Sequence, residues 1–114
     1  MKRIKKLESL LKNEISSILS KKINDSRIGF ISITYIKISS DCKHAWVYYS
    51  QIGSDTEKDA CKKGLSSATK FIHSEISKSI RYMAIPKIHF RFDNSIERGV
   101  SLIQQMNDLK TDER

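Results

Sequence analysis

The fold is decided by residues 55–86, which read DTEKDACKKGLSSATKFIHSEISKSIRYMAIP. Apolar residues recur here at intervals of three or four, a spacing that predicts one stripe along a helix. They are Leu65, Ala68, Ile72, Ile76, Ile80 and Met83. A second face is polar and basic, and it carries Lys63, Ser67, Lys70, Ser74, Lys78 and Arg81. The stretch is therefore predicted to bury one face and to present the other to a negatively charged partner.

Both ends of this stretch carry boundary signals, and its middle carries a break signal. Ser54 with Glu57 forms a capping-box pattern at the start, and the Ile85-Pro86 pair closes the end. A single helix over residues 55–83 would be about 42 Å long. A compact chain of this size has a diameter of roughly 35 Å. Gly64 and the serines after it have low helix propensity, so we expect two helices that meet at a bend between Gly64 and Thr69.

The rest of the chain supplies a first helix, three strands and a last helix. Helical spacing of apolar residues covers residues 2–22, and a capping pattern at Asn94 with Glu97 begins the last helix. The strands are predicted over residues 30–38, 45–52 and 87–92. The first strand alternates imperfectly, which indicates either a bulge near Thr34 or partial cover on both faces. A short turn joins the first two strands, so we expect them to form an antiparallel hairpin.

This order of elements predicts an α+β domain, with helices on one face of a three-stranded sheet. We expect one domain over residues 1–110 and a loose tail over residues 111–114. The second face of the sheet is left open in this arrangement. It would present Trp46, Tyr48, His89 and Arg91.

The net charge of +8 is spread unevenly along the 114 residues. Residues 1–22 carry seven basic and two acidic side chains, and residues 60–92 carry seven basic and one acidic. Such blocks attract a polyanion such as RNA, DNA or an anionic membrane, although a merely solvated surface would have the same composition. We find no apolar run long enough to span a bilayer and no signal peptide, so we expect a cytoplasmic protein. Cys42 and Cys61 fit no zinc spacing and are expected to be free thiols.

Sequence motifs of catalysis are absent. We find no P-loop, no GxSxG, no HExxH and no GxGxxG. Asp41, Cys42 and His44 lie close together in a turn, but no second cluster is spaced to complete a metal or nucleophile site. We therefore expect no enzymatic activity, no metal and no cofactor.

Nucleic-acid binding is the interpretation that the basic residues favour. The serines at the expected bend, Ser66 and Ser67, would present backbone N–H groups to a phosphate. Trp46 and Tyr48 would either stack on unpaired bases or pack under the last helix. The candidate RNA-binding residues are Arg3, Lys5, Lys6, Lys63, Ser66, Ser67, Lys70, His73, Lys78, Arg81, His89 and Arg91.

Four segments of the chain, taken in order, resemble a known family. They read DSRIG at residues 25–29, ISSDCKHAWVY at 38–48, LSSATKFI at 65–72 and IPKIHFRFDNSI at 85–96. Their order and spacing are similar to those of the ribosome-binding factor A family of bacterial small-subunit maturation factors. The resemblance implies a type II KH-like fold, α-β-β-α-kink-α-β plus a C-terminal helix, with the kink at Ala68.

The resemblance also implies a function and its partners. The chain has no GxxG loop, which RNA-binding KH domains use, and this favours contact through basic helix faces. Ser26 and Ser40 stand where the family often has proline, and His73 and Ala84 where it often has arginine. The implied function is binding to the immature 30S subunit and its 16S rRNA as a monomer, promoting maturation of the 5′ region. Ribosomal proteins and a release GTPase are the further partners implied, and the alternative is a basic protein-interaction module without RNA contact.

Overall fold

A computed structural model describes residues 2–94, with side chains from residue 4 onward. In chain order the elements are α1 (Lys2–Lys21), β1 (Ser32–Ile38), β2 (His44–Ser50), α2 (Asp55–Ser79) and β3 (Lys87–Phe92). The sheet order is β1-β2-β3, with β1 antiparallel and β3 parallel to β2. The predicted last helix and the predicted tail over residues 111–114 lie outside the described residues. The α+β class and the three strands are confirmed.

Both helices pack on one face of the sheet. The main core joins Leu11 and Ile15 of α1 to Ile72 and Ile76 of α2, above Val47 at the centre of β2, and all five are fully buried. Burying side chains of this size contributes about 1.5–3 kcal/mol each. The apolar periodicity of the two helices therefore accounts for the layered arrangement, and the prediction of helices on a single face is confirmed for the two helices that the structure describes.

A bulge at Thr34 resets the alternation of β1. Ile33 pairs with Tyr49, and Tyr35 pairs with Tyr48, so Thr34 is the extra residue. Its hydroxyl donates to the carbonyl of Tyr48 at 3.2 Å. Ile33, before the bulge, faces the core. Tyr35, after the bulge, lies on the opposite face of the sheet. Of the two alternatives that the sequence left open, the bulge is correct.

Helix α2 runs unbroken for 25 residues, so the predicted division into two helices at Ala68 is wrong. Gly64 is present because of a close contact: a Cβ there would lie 2.8 Å from the side chain of Ile28. Thr69 is accommodated by donating its hydroxyl to the carbonyl of Leu65 at 2.8 Å. A 25-residue helix is about 37 Å long, and the longest dimension of the molecule is 37 Å. The helix therefore fits the domain without a break.

The helix also ends earlier than predicted. The capping box at Ser54 and Glu57 is present, but α2 stops at Ser79, and Ile80 leaves the helical conformation at φ −114° and ψ 88°. Ile80 is buried, and the following segment folds back toward the helix. His73 holds this segment through Nε2, which donates to the carbonyl of Ile85 at 3.1 Å. The proline at 86 therefore begins the approach to β3 and does not terminate the helix.

Candidate nucleic-acid interface

The predicted basic stripe of α2 is exposed, but most of its cations are engaged. Lys63 pairs with Asp59 at 3.3 Å, and Lys78 pairs with Glu75 at 3.0 Å. The guanidinium of Arg81 donates from Nε to the carbonyl of Lys78 at 3.3 Å, near the end of the helix. Lys70 differs from these residues, because it forms no ion pair within the described part of the chain.

Glu75 joins the two helices through its carboxylate. Lys22, just beyond the end of α1, donates to it at 2.6 Å, and Lys78 donates from the next turn of α2. These hydrogen bonds hold the pKa of Glu75 below its ordinary value, with Lys22 as the largest cause. Both lysines are therefore engaged with one carboxylate, which offsets one of their two positive charges.

A groove beside the middle of α2 gathers cations from three separate elements. We call it the lysine groove, and its volume is about 510 Å³. Its lining consists of Cys42, Lys43, Thr69, Lys70, His73, Ala84, Ile85, Lys87 and Ile88. Lys43, Lys70 and Lys87 are all exposed, and none forms an ion pair with another residue between 4 and 94. Three lysines without an ion pair around an apolar floor suit a phosphate-bearing ligand with an apolar surface.

Backbone hydrogen bonds fix the positions of these lysines. The turn between β1 and β2 is closed by Cys42, whose φ of 60° lies in the left-handed region and whose N–H donates to Ser39. The N–H of Lys87 donates to the carbonyl of Lys43 at 2.9 Å, which ties the start of β3 to this turn. Asp41 accepts from the hydroxyl of Ser39 and the N–H of Lys43, and these bonds lower the pKa of its carboxyl. The rim of the groove is thus built on a rigid backbone.

The basic start of α1 lies next to this groove. A second groove of about 460 Å³ is lined by Lys6 and shares Cys42 with the lysine groove. Lys5 is exposed on the same helix. The side chain of Arg3 lies outside the described residues. The structure therefore brings Lys6 toward the three groove lysines, although the two regions are far apart in sequence.

The predicted role of the two serines needs correction. Ser66 and Ser67 are exposed, but they lie inside a continuous helix. Their N–H groups belong to its interior and are not presented as they would be at a helix start. Ala68 is half-buried within the same turn and marks no division of the helix. Only the hydroxyl groups of the serines remain available to a ligand.

His89 and Arg91 line no part of the lysine groove and lie on the face of the sheet opposite the helices. We call this the aromatic face and define it as Tyr35, Lys37, His44, Trp46, Tyr48, His89 and Arg91. Tyr35 and Tyr48 stack with their ring centroids 4.4 Å apart. The ring of Trp46 lies 5.8 Å from those of His44 and His89.

The two histidines of the aromatic face share a hydrogen bond. Nδ1 of His44 and Nε2 of His89 are 3.0 Å apart. Burial lowers the pKa of His89, and the nearby charges of His44, Lys87 and Arg91 lower it further. A neutral imidazole at His89 is therefore favoured, which makes it a poor partner for a phosphate.

Sequence reasoning missed Lys43 and Lys87. The first falls in a turn and the second at the start of a strand, and neither belongs to a periodic basic stripe. One signal could have found them. A helix that connects two neighbouring strands of a sheet makes those strands parallel, and this pairing brings the start of β3 beside the turn that precedes β2.

The residues considered for metal or nucleophilic chemistry have other partners. The imidazole of His44 contacts His89, and the carboxylate of Asp41 is held by Ser39 and Lys43. Within residues 2–94 no group of three or more potential ligands is placed to hold a metal ion.

Both cysteines are free thiols, as predicted, and burial raises the pKa of Cys61. The described helices include none with the length and apolar character needed to cross a membrane.

Comparison with known proteins identifies the family. The family model described as ribosome-binding factor A matches residues 3–106. The chain belongs to the ribosome-binding factor A family. Ribosome-binding factor A of Geobacter metallireducens is 38% identical over 112 residues, which cover 98% of this chain and 95% of that protein. The predicted family membership is therefore confirmed.

Solved structures of the family share the fold. The crystal structure of ribosome-binding factor A from Thermus thermophilus matches with a TM-score of 0.67 at 19% identity, covering 78% of this chain and 93% of that one. A homology model of the T. thermophilus protein, fitted into the cryo-EM map of a 30S complex, matches with a TM-score of 0.64, also at 19% identity and with the same coverage of both chains.

Proposed function

We propose that this protein binds the immature 30S subunit through its 16S rRNA, as a non-enzymatic factor that promotes maturation of the 5′ region. Family membership supports the ribosome as the partner, and a T. thermophilus relative has been fitted into a 30S complex. One observation carries the RNA contact: the three lysines of the lysine groove form no ion pair within the described chain, whereas the cations on the outer stripe of α2 are engaged.

The mechanism is positioning by charge, without a covalent step. Lys43, Lys70 and Lys87 contact RNA phosphates, while Ile85 and Ile88 offer an apolar floor to one unpaired nucleotide. Each phosphate contact on a single strand contributes about −0.7 to the log–log salt slope, so three contacts give about −2. This binding is reversible, as an assembly factor requires. We propose further that a monomer with a KH-like domain acts in the cytoplasm without a metal or cofactor, alongside ribosomal proteins and a release GTPase.

Co-sedimentation with free small subunits tests the proposal. The wild-type protein should pellet with immature small subunits at low salt and be released as salt rises. A variant with Lys43, Lys70 and Lys87 all changed to glutamine should stay in the supernatant at the same salt. Circular dichroism of that variant checks its fold. Wild-type sedimentation by the folded variant would show that the lysine groove is not the RNA contact.

A protein-interaction module is the second candidate, and an exposed apolar patch favours it. Phe30 is 98% exposed and Ile52 is 99% exposed. Both line one groove of about 400 Å³, together with Phe92. Apolar side chains concentrated at one surface site mark contacts with other proteins. This hypothesis predicts a partner that stays bound at high salt and after nuclease treatment, and whose binding is lost when Phe30 and Ile52 are both changed to serine.

A further inference from the structure

Tyr82 is an exposed aromatic residue on a turn whose neighbouring residues are packed. It is 78% exposed. Ile80 before it is buried, and Met83 after it packs against the main core. The hydrogen bond between His73 and the carbonyl of Ile85 holds the next part of the same segment. The ring of Tyr82 is therefore presented to solvent by a turn that is anchored on both sides.

A groove beside Tyr82 combines an apolar surface with a cation. It is the groove of about 460 Å³ next to the lysine groove, and we call it the tyrosine groove. Its lining consists of Ile4, Lys6, Leu7, Leu10, Cys42, Tyr82 and Met83. Lys6 is exposed and forms no ion pair with another residue between 4 and 94. The tyrosine groove thus offers an aromatic ring, aliphatic side chains and one positive charge.

The tyrosine groove and the lysine groove are adjacent. Cys42 lines both of them. The segment that follows α2 also contributes to both, with Tyr82 and Met83 in the tyrosine groove and Ala84 and Ile85 in the lysine groove. Successive nucleotides of one strand can therefore occupy the two grooves.

We propose that Tyr82 stacks on an unpaired base of the single-stranded RNA that the lysine groove binds, while Lys6 contacts a phosphate of the same nucleotide. This inference rests on the proposed function. Every base has a π-face on which an aromatic side chain can stack, so the contact does not require a particular sequence. In a duplex the bases are already stacked on each other, so Tyr82 makes the site selective for unpaired RNA.

Other aromatic residues are less suited to this contact. Tyr35 and Tyr48 already stack on each other, and Trp46 lies against the two histidines of the aromatic face. Phe30 is 98% exposed, but the groove that it lines includes no lysine or arginine among the described residues. Tyr82 contacts no other aromatic ring between residues 4 and 94. It therefore combines an available ring with nearby cations.

RNA without bases separates stacking from charge. The probes are a single-stranded RNA of about eight nucleotides and an abasic strand with the same phosphates, both followed by fluorescence anisotropy. Tyr82→Ala should lose about 5- to 10-fold in affinity for the intact RNA, because one stacked base is lost. Its affinity for the abasic strand and its salt slope should stay at the wild-type values, because no phosphate contact changes.

Two further variants serve as controls for the ring. Tyr82→Phe keeps the ring and should bind both strands as the wild type does. Phe30→Ala removes an exposed ring that lines neither the tyrosine groove nor the lysine groove, and it should also leave both affinities unchanged. Circular dichroism checks that each variant is folded.

Other results would overturn the proposal. Wild-type affinity of folded Tyr82→Ala for the intact RNA would do so, as would equal losses on the intact and abasic strands. Wild-type RNA affinity combined with loss of binding to small subunits would show that Tyr82 contacts a protein instead. A failure of the proposed function gives a different result. In that case the variant with Lys43, Lys70 and Lys87 changed to glutamine would bind the RNA as the wild type does.

Discussion

The lysines on the outer stripe of α2 and the lysines of the groove differ in their partners. Lys63 and Lys78 have acidic neighbours one helical turn away, at 3.3 Å and 3.0 Å. Lys43 and Lys87 lie in a turn and at the start of a strand and form no ion pair within the described chain. Lys70 lies on α2 but belongs with the second group. All five are exposed, so exposure alone does not distinguish them.

This difference shows that the number of cations does not define a binding surface. An exposed ion pair contributes little to stability, but it lowers the local positive potential that a polyanion meets. The groove lysines form no such pair, so their positive potential is less reduced. A surface selected to bind phosphate is therefore better found from cations without acidic partners than from runs of lysine in the sequence.

The largest expected effect is on RNA affinity, when the groove lysines and the paired lysines are neutralised in two separate variants. Changing Lys43, Lys70 and Lys87 to glutamine should weaken binding to single-stranded RNA on the order of 10- to 100-fold and flatten the salt slope by about 2. The matched variant changes Lys22, Lys63 and Lys78 to glutamine. It removes the same number of lysines but should weaken binding by less than about threefold, because each of them is already engaged in an ion pair, Lys63 with Asp59 and the other two with Glu75. Equal losses in the two variants, measured by fluorescence anisotropy, would contradict the distinction.

The next effect separates the shape of the groove from its charge. His73→Phe removes the hydrogen bond to the carbonyl of Ile85 and should cost about 1 kcal/mol of unfolding free energy. RNA affinity should also fall, because the segment that carries Lys87 loses its attachment to α2. Ser74→Ala is the control, since Ser74 is exposed beside His73 on the same helix. Urea unfolding and RNA titration that match the wild type would show that His73 does not shape the groove.

A smaller effect is expected at the link between the helices. Glu75→Gln removes the partner of Lys22 and Lys78, so stability should fall at neutral pH while RNA affinity does not. The pKa of Glu75 is lowered from 4.5 in the folded state, so its contribution is complete above that value and disappears as the pH falls through the lowered pKa. The difference in Tm between wild type and variant should therefore be largest near pH 7 and should disappear at acidic pH. A difference in Tm that does not change with pH would show that Glu75 stabilises the fold by packing and not by its charge.

The smallest effect is expected at the exposed pair of Lys63 and Asp59. Lys63→Gln should change the unfolding free energy by less than about 0.5 kcal/mol, because both partners are in contact with water. RNA affinity should stay near the wild-type value, whereas Lys70→Gln, two turns further along the helix, should weaken it. A loss for Lys63→Gln as large as that for Lys70→Gln would extend the interface along α2.

Local signals in the sequence were sufficient for most elements. The capping box at Ser54, the alternation in β3 and the bulge at Thr34 each depend on residues a few positions apart. Helix α2 was predicted less well, because the reason for Gly64 lies at Ile28, thirty-six positions earlier. Its true end was missed for a similar reason. The segment after Ile80 is held by His73, a contact that no local pattern indicates.

Some residues of the candidate site could also be predicted from local sequence signals, and others could not. Lys70 was found because it lies on a periodic helix face. Lys43 and Lys87 were not found, because they join it only after β3 pairs in parallel with β2. His89 and Arg91 were correctly assigned to the face of β3 opposite the core, but neither lines the lysine groove. Whether any of these residues contacts RNA stays a prediction.

The sequence by itself determined the class of fold, its family, the basic character of the surface and the start of the helical stretch at Asp55. The family follows from the resemblance of four segments, and the other properties follow from composition, periodicity and short-range capping. Only the tertiary structure decided that α2 is continuous, where it ends and which cations remain uncompensated. The physical reason is that a close contact with the distant side chain of Ile28 requires a glycine at position 64, so this glycine marks no break in the helix. The free charge of a lysine likewise depends on which carboxylates the fold brings within reach.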